Sequence, residues 1–159
     1  FGVEPEIWQK AEDNQYVPET SLTETEIRMP GGHLTIAQLI ALLNTIPMEI
    51  TFVDVDNINR FFNEGPKDFK RPGMAIDREV FSCHPPKIEA TVRRIIGEFR
   101  AGALDEVPIW MDKNGKCMLV RYMAVRDKEG KYLGTLELVQ DMGFAKEHFQ
   151  PEKRQEEIW

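Results

Sequence analysis

Several things are scarce in this chain of 159 residues. Its two cysteines, Cys83 and Cys117, are too few for a disulfide scaffold, so a reducing, cytoplasmic setting is expected. No apolar run approaches the roughly 18 residues that a membrane span needs, and no charged-then-apolar secretory pattern opens the chain. There is no excess of basic charge: 20 Lys and Arg stand against 27 Asp and Glu, a net charge of −7. That balance argues against general nucleic-acid binding. Phosphate-cradling glycine loops are missing as well, since Pro30-Gly31-Gly32 and Gly130 are isolated turn glycines. What remains is a globular mixture, 42% hydrophobic and 30% charged, long enough for one domain with its own core. The first residue is Phe1, as expected of a segment of a longer protein.

The acidity is unevenly spread. Residues 1–30 hold seven acids (Glu4, Glu6, Glu12, Asp13, Glu19, Glu24 and Glu26) against Lys10 and Arg28. Residues 31–142 are nearly neutral. Together with Pro5 and Pro18, this predicts an acidic arm or linker over 1–32, a folded unit over 33–142 and a charged tail over 143–159. Ile7 and Trp8 hint at one anchored turn within the arm.

Periodicity fills in the middle unit. Thr25–Met29 reads as a short strand closed at Pro30-Gly31-Gly32. Thr35 and Gln38 form a capping box, with Leu34 and Leu39 placed for a hydrophobic staple. Ile36, Leu39, Ile40, Leu43 and Ile46 then recur at helical spacing until Pro47. Residues 50–62 read as a hairpin turning at Asp54-Val55-Asp56-Asn57, and 63–81 as an irregular stretch. Pro85-Pro86 opens a second helix with Ile88, Val92, Ile95, Ile96 and Phe99 on one face and Gly102 as its stop. Val107–Met111, Cys117–Arg126 and Tyr132–Gln140 form a meander, the first turn being Asn114-Gly115. The tail beyond Gly143 is expected to be partly helical. This order predicts an α+β fold, a five-stranded antiparallel sheet with helices on one face and a concave space between them.

The residues Cys83-His84-Pro85-Pro86, Arg121–Asp127 and Gly134–Asp141 resemble a PAS sensor domain over about residues 33–142. The type resembled is the PAS domain at the carboxyl end of prokaryotic proteins that also carry a hemerythrin-like bundle. The resemblance implies a PAS fold and a sensory or protein-interaction role without turnover. It admits a small-molecule ligand without establishing one, a homodimer or a neighbouring domain as partner, and, as the alternative, a ligand-free dimerisation module. Heme or flavin are admissible cofactors, because PAS domains variously bind heme, flavin, small acids or nothing.

Candidate pocket residues are Phe62, Cys83, His84, Phe99, Trp110, Arg121, Tyr122 and Met123. His84 has the chemistry of an axial heme ligand, but capping and packing beside the prolines is the favoured reading. His33, His84, Cys83 and Cys117 lack the spacing of a closed zinc site, so no metal is expected. Cys83 beside His84 has no orienting third group, and an inert thiol is favoured over a nucleophile. Asp54–Asn59 fails as a calcium loop, having Ile58 at the fifth position and no glycine at the sixth. In Cys117–Arg126 the residues Cys117, Leu119, Arg121, Met123 and Val125 share one face. Met118, Val120, Tyr122, Ala124 and Arg126 share the other. Both faces are apolar enough to expect cover, by the core or pocket on one side and the amino-terminal helix or a second chain on the other. Arg121 would then meet a carboxylate ligand, Glu137 or a surface acid.

Overall fold

The computed structural model describes residues 24–65 and 75–150. The expected arm and the last nine residues of the tail fall largely outside the described residues. An amino-terminal hairpin comes first. Strand β1 (Glu26–Met29) pairs antiparallel with β2 (Gly32–Thr35), so the Pro30-Gly31-Gly32 turn is followed by a second strand the sequence reading did not contain. Helix α1 (Ile36–Thr45) starts at the capping box, with Thr35 Oγ1 accepting from the Gln38 amide at 3.1 Å and Gln38 Oε1 accepting from the Thr35 amide at 3.0 Å. Pro47, which cannot continue the N–H ladder, follows its end.

Strands β3 (Glu49–Asp54) and β4 (Asn59–Phe62) form the predicted hairpin. One Asp54 carboxylate oxygen accepts from the amides of Asp56 (2.8 Å) and Ile58 (3.1 Å), and Asn57 takes a positive φ of 65°. Short Asx side chains suit such turns because they replace backbone hydrogen bonds. A 3-10 turn (Val80–Cys83) leads into α2 (Pro86–Ala101), which ends at Gly102 with φ 78°. Strands β5 (Glu106–Lys113), β6 (Lys116–Arg126) and β7 (Tyr132–Asp141) complete the sheet, and α3 (Gly143–His148) follows.

The five strands lie in the order β4-β3-β7-β6-β5, antiparallel throughout. This is the expected α+β arrangement. The last strand occupies the centre, where it joins the two hairpins. It can do so because Gly134 meets β3 closely: a Cβ there would stand 2.3 Å from the Val53 carbonyl oxygen and 2.7 Å from the Phe52 ring.

Helix α2 covers the concave face. Val92, Ile95, Ile96 and Phe99 are buried along one side of it. Phe99 and Ile95 pack with Met118, Val120, Tyr122, Tyr132 and Val139. Val92 and Ile96 pack with Val53, Val80 and Phe81. Burying side chains of this size is worth roughly 1.5–3 kcal/mol each. Arg100 donates to the Val55 carbonyl (2.8 Å) and Asn57 Oδ1 (3.0 Å), while Arg126 donates to the Phe99 (2.9 Å) and Leu104 (3.2 Å) carbonyls. These bonds tie the carboxyl end of α2 to both hairpins.

Candidate functional site

Cross-strand register decides which side chains look toward α2. Thr51, Glu137 and Tyr122 lie directly opposite one another on β3, β7 and β6, and Phe62 of β4 pairs with Thr51. One step along, Val53 pairs with Thr135. The side-chain period of two puts both rows on the concave face. Between them, the 3-10 turn and α2 lies a cavity of about 30 Å³. Its sheet wall comprises Thr51, Val53, Asn59, Phe62, Tyr122, Thr135 and Glu137. Val92, Ile95 and Ile96 of α2 form the opposite wall, and Ala75, Val80 and His84 close one side. The volume is room for one or two waters.

A buried polar set in an otherwise apolar enclosure is the notable chemistry. Glu137 is 6% exposed and His84 8%, and Thr51, Asn59 and Thr135 are buried with them. The His84 ring is oriented by its own turn, with Nδ1 2.8 Å from the Val80 carbonyl oxygen. A carbonyl only accepts, so Nδ1 carries the hydrogen in this contact. Asn59 Nδ2 donates to the Arg78 carbonyl at 3.3 Å. Tyr132 and Thr135 share a hydrogen bond between hydroxyls at 2.7 Å. Among the described residues, no Lys or Arg lines the cavity.

Of the residues singled out in the sequence, the fold brings Phe62, His84 and Tyr122 together around this space. Phe99 lies beyond it, fully buried against the sheet core. Trp110, Arg121 and Met123 belong to the opposite, convex face. Trp110 is 65% exposed there. Arg121 Nε donates to Glu106 Oε1 at 2.6 Å, the surface pairing, since Glu137 points to the other side of the sheet. Cys83 ends the 3-10 turn, and its side chain lies outside the described residues. Sequence reasoning missed Thr51, Asn59 and Thr135 as wall residues and met Glu137 only as a partner for Arg121. Register alone would have found them: fixing Tyr122 as inward fixes Glu137 and Thr51 on the same row.

His84 has the donor chemistry of a heme ligand, but the cavity does not accommodate the macrocycle. Pockets for groups of that size span about 300–1,000 Å³, roughly tenfold more than is open here. The same volume argument applies to a flavin ring. Among the described residues, no group of His, Cys, Asp and Glu is placed to hold a metal ion. None of their helices is long and apolar enough to cross a membrane.

A sequence model of the PAS domain matches residues 39–143. The chain belongs to the PAS domain family. Its fold superimposes on the C-terminal domain of a Streptococcus mutans protein with TM-score 0.75 and 36% identity, covering 79% of this chain and 98% of that one. The Vibrio cholerae VqmA dimer, described as a LuxR-type receptor, aligns with TM-score 0.51 and 21% identity over 71% of this chain and 53% of its own. A PAS domain from Colwellia psychrerythraea aligns with TM-score 0.48 and 15% identity, covering 67% of this chain and 95% of that one. No curated protein matches the chain. As a PAS domain, the chain is of a sensory class and not a typically catalytic one.

Proposed function

We propose that this PAS domain is a cytoplasmic sensory module of a larger regulatory protein, of the type that carries a hemerythrin-like bundle. It binds a small ligand between the sheet and α2 and performs no turnover. The reading is carried by one observation: an enclosed space whose wall combines Glu137, His84, Thr51 and Asn59 with apolar side chains of α2. Apolar residues alone would fill such a space at lower cost, because a buried polar group must be hydrogen-bonded to avoid a penalty. A ligand that widens the cavity displaces α2 against the sheet. The terminal segments pass that displacement to a second copy or a neighbouring domain. The acidic balance favours a protein or a small molecule as partner over nucleic acid. Native mass spectrometry of the purified domain tests the proposal, because it reports a retained small molecule and the subunit count together. The expected result is a dimer with a bound mass below a few hundred daltons.

A second reading is favoured by the convex face, where Trp110 is exposed. Here the domain is a ligand-free dimerisation module. It predicts a concentration-dependent dimer with no bound mass and no ligand-dependent melting.

A further inference from the structure

We propose that the cavity opens along the seam between the 3-10 turn and the amino-terminal half of α2, and that Arg93 is the latch across that seam. Its purpose rests on the ligand-binding reading above, to which it adds the way in.

The two halves of α2 are held by different chemistry. At the carboxyl end, Arg100 reaches out of the helix to the Val55 carbonyl and Asn57 Oδ1, and Arg126 of β6 donates to the Phe99 and Leu104 carbonyls. Directional bonds to two hairpins, with Phe99 fully buried beside them, make that end a pivot. The cavity lies against the other half, at Val92, Ile95 and Ile96. There the helix meets the 3-10 turn through apolar side chains, Val80 and Phe81 against Val92 and Ile96. Apolar contact is non-directional and yields gradually as surfaces part. The turn is sewn to the β3–β4 hairpin. The Val80 amide donates to the Asn57 carbonyl at 2.8 Å, the Asn59 amide to the Arg78 carbonyl at 2.9 Å, and the Asp77 amide to the Asn59 carbonyl at 2.7 Å. Arg60 adds an ion pair to Asp77 at 2.7 Å. Between turn and helix the chain runs through His84 (φ −122°, ψ 146°) and Pro85 (φ −59°, ψ 151°), an extended joint. Pro85 and Pro86 have no amide hydrogen with which to lock it. The turn therefore stays with the hairpin while the amino half of α2 lifts about its carboxyl end. Arg93 spans the gap from outside. Its guanidinium stands 3.9 Å from the centroid of the Phe81 ring, and Glu89 one turn back on the same helix orients it at 3.0 Å. A half-exposed cation over an aromatic face is a clasp of moderate strength, firm enough to favour closure and weak enough to release.

Opening is read without any ligand, by the rate at which a buried reporter thiol reacts with a small methanethiosulfonate. The full chain carries serine at positions 83 and 117 and a single reporter, either Val92→Cys on the cavity wall or Val120→Cys in the sheet core, both 1% exposed as valine. The expected result is that the thiol at 92 reacts at least about tenfold faster than that at 120, because it needs only the seam to part. Arg93→Ala should speed the reaction at 92 by about two- to fivefold and leave that at 120 unchanged. Arg93→Lys, which keeps a cation near the ring, should fall between Arg93→Ala and the parent. Glu89→Gln removes the ion pair and spares the stack, so it should leave the rate at 92 as it was. Asp77→Asn loosens the hairpin side of the turn and should do the same. Should Val92→Cys not fold, Ile96→Cys on the same wall serves as reporter. Equal rates at 92 and 120 would mean that only global unfolding admits the reagent, which overturns the seam. An Arg93→Ala rate equal to the parent's overturns the latch, and a rise with Asp77→Asn as large as with Arg93→Ala moves the opening to the hairpin side and overturns both. None of these results touches whether a small molecule is retained, so the mass-spectrometric test of the ligand-binding reading stands or fails separately.

Discussion

The two long helices of the domain are built alike and held differently. Both begin with clear start signals, a capping box at Thr35 for α1 and prolines with Glu89 in the first turn for α2, and both carry an apolar stripe. Yet α2 buries Val92, Ile95, Ile96 and Phe99, whereas no residue of α1 is buried. Local chemistry decides that a segment is helical; the partner surface decides whether the helix is part of the core. What fastens α1 is polar. Asn63, buried beyond β4, accepts from the Ile50 amide at 2.8 Å and donates to the Leu43 and Met48 carbonyls at 3.0 and 2.9 Å. One side chain thus links the end of α1, the approach to β3 and the strand itself.

Phe99→Ala should give the largest effect, a loss of about 3–5 kcal/mol in global stability by denaturant unfolding, since a fully buried aromatic leaves a cavity. Asn63→Ala comes next. It exposes three backbone partners to a loss of about 1–3 kcal/mol, and hydrogen exchange should show α1 opening ahead of the sheet. Thr35→Ala removes half of the capping box and should cost about 1 kcal/mol, confined to α1 in the same exchange experiment. Leu39→Ala on the α1 stripe should cost less than Phe99→Ala by at least about 2 kcal/mol. An equal loss would mean that the two helices share one core after all.

The smallest effect is a pH dependence. Desolvation of Asp54 tends to raise its carboxyl pKa. It is outweighed by hydrogen bonds from Arg60 and from the Ile58 and Asp56 amides and by the Arg60 charge, which together hold it below the ordinary value of 3.8. A carboxyl depressed in the folded state stabilises above its unfolded pKa and loses that contribution as pH falls through the folded one. Stability should therefore fall below about pH 4. Asp54→Asn should flatten part of that acid limb in a series of denaturation curves. An unchanged limb would show that the ion pair with Arg60 at 2.6 Å is screened to nothing.

Most of the architecture was readable because each element carries its own punctuation: Asn114-Gly115 between β5 and β6, the aspartates of the β3–β4 turn, Pro86 and Gly102 bounding α2. The site was less readable. Aromatic and sulfur residues such as Trp110 and Met123 look like pocket material by type, but alternation along the strands turned them to the convex face. The true wall includes threonines and a glutamate whose types suggest a surface. Burial here follows from pairing across strands up to some ninety positions apart, which no local pattern encodes.

The central place of β7 has a consequence for biosynthesis. β3 and β6 each hydrogen-bond to β7 and not to one another, so a nascent chain that has emerged only as far as Lys131 holds two separate hairpins with bare inner edges. Such edges are templates for mispairing with other chains. A ribosome that stalls in the Asp127–Lys131 turn would release a sticky fragment, whereas ten more residues would zip both halves shut.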